Sequence, residues 1–85
     1  GMKIQAITSD DGLSVEVGKV YLVDSADDVD EVTGNYKVTH MEIIAAGYSS
    51  ASGVEVRVEI EWQNPVTGFY QYADMPLDAI IEEAR

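Results

Sequence analysis

The sequence predicts an all-β protein, mainly antiparallel, folded as a small barrel of five to six strands with a short C-terminal helix. Three observations carry that prediction. Between Val54 and Trp62, the residues Val54, Val56, Val58, Ile60 and Trp62 alternate with Glu55, Arg57, Glu59 and Glu61, the period of two expected of a strand buried on one face. Other short runs rich in Val, Ile, Tyr and Phe recur along the chain, each bounded by Gly, Asp, Asn, Ser or Pro. Helical periodicity is confined to the end, where Leu77, Ile80, Ile81 and Ala84 fall at i, i+3, i+4 and i+7.

Taken in order, Met2 to Thr8 alternates weakly, and Ser9-Asp10-Asp11-Gly12 supplies a turn of the kind that closes hairpins. Leu13, Val15 and Val17 then alternate with Ser14 and Glu16. Gly18-Lys19 interrupts the pattern before Val20-Tyr21-Leu22-Val23 resumes it, which predicts a bulge or sharp bend, as where a ribbon turns a barrel corner. Asp24 to Asn35 is expected to be the first long connection. Within it, Ser25-Ala26-Asp27-Asp28 has capping-box spacing and room for one helical turn.

Tyr36 to Ala46 is the longest candidate strand, and its phase slips: Tyr36 and Val38 share one parity, Met41 and Ile43 the other. A one-residue bulge near His40 would reconcile them. Gly47 to Gly53 is small and polar, a connection across which this strand should pair antiparallel with the Val54 strand. Gln63-Asn64-Pro65-Val66-Thr67-Gly68 reads as a further hairpin turn, because Pro presets one backbone angle and Gly accepts a positive one. Phe69 to Ala73 is the return strand, Met75-Pro76-Leu77 stops it, and Asp78 to Ala84 is the expected helix of about two turns, too short to stand without packing on the sheet.

One strand cannot make a core. Leu13, Val15, Leu22, Val38, Met41, Ile43, Phe69, Leu77 and Ile80 are expected to close over the inner face of the Val54 strand. The rhythm of short strands, a long central pairing and a terminal helical turn resembles the architecture of small SH3-like barrels over most of the chain. The resemblance implies a fold and no binding residues. An α+β arrangement, a twisted antiparallel sheet packed by the C-terminal helix, is the alternative.

Length leaves room for one domain, residues 2–85, with Gly1 read as a residue left by recombinant expression ahead of a natural Met2. A chain this short buries only about 60–65% of the surface its unfolded form exposes, so its stability is marginal and self-association would add to it. The N-terminus is too short and polar for a signal peptide, and no apolar run approaches the ~20 residues of a membrane helix. A soluble, cytoplasmic protein is expected. Cysteine is absent, which removes disulfides, thiolate catalysis and thiolate metal sites. Sixteen acidic residues against five basic ones give a formal net charge of −11. Direct binding to nucleic acid or to an anionic membrane is disfavoured, since both require a Lys/Arg patch that releases counterions.

Chemistry has few places to sit. His40 is the only histidine and has no nucleophile pattern beside it, so a structural or surface role outweighs general-base catalysis. Ser49, Ser50 and Ser52 lack the Gly-x-Ser-x-Gly elbow of a hydrolase. Asp24, Asp27, Asp28, Asp30 and Glu31 supply carboxylates for weak Ca²⁺ binding, yet their spacing misses an EF-hand loop and a solvated loop is the simpler reading. Tyr36, Tyr48, Tyr70 and Tyr72 are the aromatic candidates for an interface, because tyrosine adds contact area at low entropic cost. Tyr70 and Tyr72 share a parity opposite to Phe69, so one set or the other should be exposed.

Two functions follow from these features. The first is a non-enzymatic protein-interaction or structural module, self-associating or not, that uses strand edges or the Phe69 to Tyr72 surface, with no cofactor. The second is an acidic inhibitor or nucleic-acid mimic whose carboxylates, Glu55, Glu59 and Glu61 among them, fill a basic groove on a partner protein. The candidate binding residues are Tyr70, Tyr72, Glu55, Glu59 and Glu61.

Overall fold

A computed structural model describes residues 1–26, 31–45 and 53–85. Its spine is a long strand, β5 (Glu31–Ala45), and the other strands are β1 (Met2–Ile4), β2 (Ala6–Thr8), β3 (Ser14–Glu16), β4 (Val20–Ala26), β6 (Val54–Gln63), β7 (Tyr70–Pro76) and β8 (Ile80–Glu83). All described ladders are antiparallel. The main sheet runs β7-β6-β5-β4-β8, and β1 joins β5 beyond the end of β4. Among the described residues no ladder joins β7 to β8, so both remain edges. The chain is therefore a mainly antiparallel all-β protein, as the alternating runs require.

A second, two-stranded sheet of β2 and β3 folds over the first. Only Gln5 separates β1 from β2, and the corner is tied by the Val17 N–H donating to the Gln5 carbonyl at 2.9 Å. The bend expected at Gly18-Lys19 is present. Gly18 has φ +97°, its N–H donates to the Val38 carbonyl at 2.8 Å, and the Val38 N–H donates to the Lys19 carbonyl at 3.0 Å. This turn fills the stretch of β5 edge that β4 and β1 leave open.

Tyr21, Val23, Val32, Val38, Met41, Val58, Ile60, Trp62, Met75 and Ile80 make the core with Val15 from the small sheet. Inner positions of β6 are buried from Val58 to Trp62, half-buried at Val56 and exposed at Val54. The phase slip in β5 is a bulge: Val38 faces Ile60 and His40 faces Glu59, leaving Thr39 as the extra residue. The bulge carries Tyr36 and Val38 on one side and Met41 and Ile43 on the other to the same buried face, and the Thr39 hydroxyl lies 2.9 Å from Glu59 Oε1 and 3.2 Å from its carbonyl oxygen.

Two expectations are corrected. Asp24 to Asn35 is not a long connection, because Asp24 and Ser25 continue β4 and pair with Thr33 and Val32 of β5. Turn-forming residues are held extended here by a ladder that places Val23 and Val32 in the core; tertiary pairing overrides local preference. Ser25 and Ala26 are strand residues, while Asp27 and Asp28 of the expected helical turn, and Asp30, lie outside the described residues. The C-terminal helix is absent as well. Leu77–Ala79 form one 3₁₀ turn after Pro76, and Ile80–Glu83 are strand. A two-turn helix is marginal alone, β-branched Ile80 and Ile81 favour extended backbone, and the open edge of β4 supplies partners down to the Ala84 N–H on the Val20 carbonyl at 3.0 Å. With no α-helix among the described residues, the α+β alternative also loses its packing element.

Candidate interaction surface

The β6–β7 ribbon starts from a turn that holds itself. Asn64 Oδ1 accepts from the Val66 N–H at 2.8 Å and the Thr67 N–H at 3.3 Å, the Gly68 N–H donates to the Asn64 carbonyl at 2.8 Å, and Gly68 has φ +76°. Gly68 thus acts as its backbone chemistry predicts. The turn projects Val66 and Phe69 into solvent. Phe69 is 74% exposed, Tyr70 69% and Tyr72 66%, so both aromatic parities are at the surface: Ala73 and Met75 take the inward one, and Phe69 precedes the covered part of the strand.

Directly opposed residues share a face of a sheet. On the outer face, Tyr70 lies opposite Gln63, Tyr72 opposite Glu61, Asp74 opposite Glu59 and Pro76 opposite Arg57. One strand further in, Lys37 is opposite Glu61, His40 opposite Glu59 and Glu42 opposite Arg57, and Lys3 of β1 is opposite Glu42. The structure therefore brings together four of the candidate residues, Tyr70, Tyr72, Glu59 and Glu61. Glu55 sits further along β6, where Arg57 Nη1 reaches Glu55 Oε1 at 3.0 Å and Arg57 Nε reaches Asp74 Oδ2 at 3.3 Å. Partial burial opposes the charge of Arg57, but hydrogen bonding and attraction from Glu55 and Asp74 outweigh it and raise its pKa. Asp74, Lys37 and Val66 were not among the candidates; Asp74 shares the parity of Tyr70 and Tyr72, and that alternation alone would have placed it.

The row of acids is broken by cations. Lys3, Lys37 and Arg57 are three of the five basic residues in the chain, and all lie on this face by register.

Ladder phase fixes the free edge of β7. The Asn64 N–H donates to the Phe69 carbonyl at 2.9 Å, which makes Trp62–Gln71 and Ile60–Ala73 hydrogen-bonded pairs and Glu61–Tyr72 and Glu59–Asp74 non-hydrogen-bonded ones. The backbone N–H and C=O groups of Tyr70, Tyr72 and Asp74 consequently point away from β6. No described strand covers them. Pro76 occupies the next outward position, where its missing N–H removes nothing from the ladder.

Of the acidic candidates for Ca²⁺, Asp27, Asp28 and Asp30 lie outside the described residues. Asp24 Oδ1 accepts from the Thr33 hydroxyl at 3.4 Å within the β4–β5 ladder, and Glu31 begins β5 opposite Ala26. Among the described residues no group of three or more His, Asp or Glu side chains could hold a metal ion. Tyr36 packs over Gly34, while Tyr48, Ser49, Ser50 and Ser52 lie outside the described residues. No described helix is long and apolar enough to cross a membrane. Compared with known proteins, the chain matches no family model, no curated protein and no solved structure at a significant level.

Proposed function

We propose that this protein is a small, non-enzymatic protein-interaction module that works through the β6–β7 ribbon, with self-association through the same ribbon as one form of that activity. The observation that carries the reading is the coincidence of a strand edge that no described strand covers with exposed Phe69, Tyr70 and Tyr72. Aromatic side chains are enriched where proteins meet, and an uncovered edge is a template for pairing. The sheet bent at Gln5 and Gly18, with the β2–β3 hairpin folded over it, supports an SH3-like barrel as the architecture behind the surface. Interleaving of Lys3, Lys37 and Arg57 among the outer-face acids favours this reading over a continuous acidic mimic of nucleic acid.

The test compares the wild type with a Tyr70→Ser/Tyr72→Ser variant by light scattering and by retention of proteins from extracts of the source cell. Loss of a dimer, or of a retained protein, in the variant supports the reading. A wild type that is strictly monomeric at high concentration and retains nothing the variant does not would overturn it.

A further inference from the structure

We propose that the outward edge of β7 receives an extended segment of a different protein as an added strand, and that this segment carries Lys or Arg at alternate positions. The inference rests on the interaction-module reading and specifies the chemistry of the partner.

The edge supplies the backbone half of the recognition. N–H and C=O groups of Tyr70, Tyr72 and Asp74 point outward in the phase set by the Asn64–Phe69 hydrogen bond, and an extended peptide satisfies such groups by continuing the ladder. The two edges of the main sheet are not equally guarded. β8 carries Glu82 and Glu83, and the far half of β7 carries Asp74 and Pro76, both of which discourage pairing. From Phe69 to Ala73 there is neither charge nor proline. Among the described residues, pairing is therefore open at one half-strand.

Side chains supply the other half. An added strand runs about 4.8 Å from β7, and its alternate residues stand on the outer face beside Tyr70, Tyr72 and Asp74. A cation there can lie over an exposed tyrosine ring. Glu61 stands directly behind Tyr72, within the span of a lysine or arginine extended across that ring, and Glu61 forms no ion pair among the described residues. The Asp74 carboxylate is bound on one side by Arg57 and is 62% exposed. Residues between the cations fall on the side of Gln71 and Ala73 and need be only small or apolar.

Charge selects this occupant over a second copy. Two chains paired through β7 would bring together bodies that each carry a formal −11, with Asp74 in both edges. A basic segment meets the same surface with opposite sign, which raises its association rate and fixes its register.

The experiment titrates the isotope-labelled protein with four short peptides and follows backbone amide shifts. One alternates Lys with Val or Thr; a second has the same composition with its lysines contiguous; a third replaces Lys by Glu. The fourth is the first peptide N-methylated at the residues that would pair with β7. The alternating peptide should give saturable shifts centred on Tyr70, Tyr72 and Asp74, should bind at least about tenfold more tightly than the contiguous and N-methylated peptides, and should weaken as salt rises. The Glu peptide should not bind. A Tyr72→Pro variant, folded by its spectrum, removes one outward donor and should lose most of the affinity; if it does not fold, the N-methylated peptide, which lacks the opposing donors to the β7 carbonyls, tests the same ladder. Equal binding of alternating, contiguous and N-methylated peptides would overturn the proposal in favour of unspecific attraction. Absence of shifts at β7 with every peptide would also overturn it, and if light scattering still shows a dimer lost in the Tyr70→Ser/Tyr72→Ser variant, the interaction-module reading survives with a second copy as the occupant.

Discussion

Tyr21 and Glu16 join the two sheets. The Tyr21 side chain is fully buried, its phenolic oxygen accepts the Glu16 N–H at 2.7 Å, and its hydroxyl lies 3.3 Å from the Ser14 carbonyl, to which it donates. One side chain of β4 thus pins the backbone of β3, and with it the hairpin that carries Val15 into the core.

Tyr21→Phe keeps the ring and removes the pin. The Glu16 N–H loses its acceptor, and the expected cost is about 1–2 kcal/mol in urea denaturation, since a broken hydrogen bond leaves an unpaired group behind. Hydrogen exchange at Glu16 should accelerate more than at Val58. An unchanged midpoint would mean that water replaces the phenol at no cost.

Gly34 is held in β5 at φ +145°, where a Cβ would stand 3.2 Å from Tyr36 Cε2 and from its hydroxyl oxygen. Gly34→Ala therefore suffers twice, in its backbone and against the ring, and should lose about 1–3 kcal/mol of stability. Adding Tyr36→Ala relieves only the contact. A double-mutant cycle should show coupling between the two positions; strict additivity would exclude the ring contact as a cause.

Arg57 bridges β6 and β7 through Glu55 and Asp74 while its side chain is 27% exposed. Arg57→Met keeps much of the apolar stem, and the expected loss is about 0.5–1 kcal/mol at low salt. It should shrink in concentrated salt, because partly exposed pairs are screened. The guanidinium pKa is raised above an already high value by Glu55 and Asp74, so the arginine itself keeps its charge at every pH below it and loses that charge only in strong alkali. A loss that does not respond to salt would assign the effect to packing.

Much of the sheet was legible because burial enforces period two. The Val54–Trp62 alternation, the bulge before Met41 and the turn at Asn64 to Gly68 each follow from a local rule that the core or the backbone obeys. Asp24, Ser25, Thr33 and Asn35 misled because their preference for turns is weak beside the ladder that Val23 and Val32 anchor. At the candidate surface, alternation placed Tyr70 and Tyr72 with Glu59 and Glu61 only once the pairing of β6 with β7 was known. The intrusion of Lys3 and Lys37 among the acids depends on ladders between residues far apart in the chain, which no local pattern encodes.

The C-terminal segment offers a direct contrast between period 3.6 and period two. As a helix, Leu77, Ile80, Ile81 and Ala84 would share one buried stripe, and Ile80 and Ile81 would matter about equally. In the structure Ile80 is 6% exposed, opposite Val23, while Ile81 is 49% exposed at an irregularity in the β4–β8 register, between the Val23–Ile80 and Leu22–Glu82 pairs. Ile80→Ala should accordingly cost about 2–4 kcal/mol by opening a cavity beside Val23, whereas Ile81→Ala should stay within about 0.5–1 kcal/mol. Denaturation of the two variants measures the difference. Equal, large losses would restore the helix; a large loss for Ile80 alone establishes that the chain ends as an edge strand on β4.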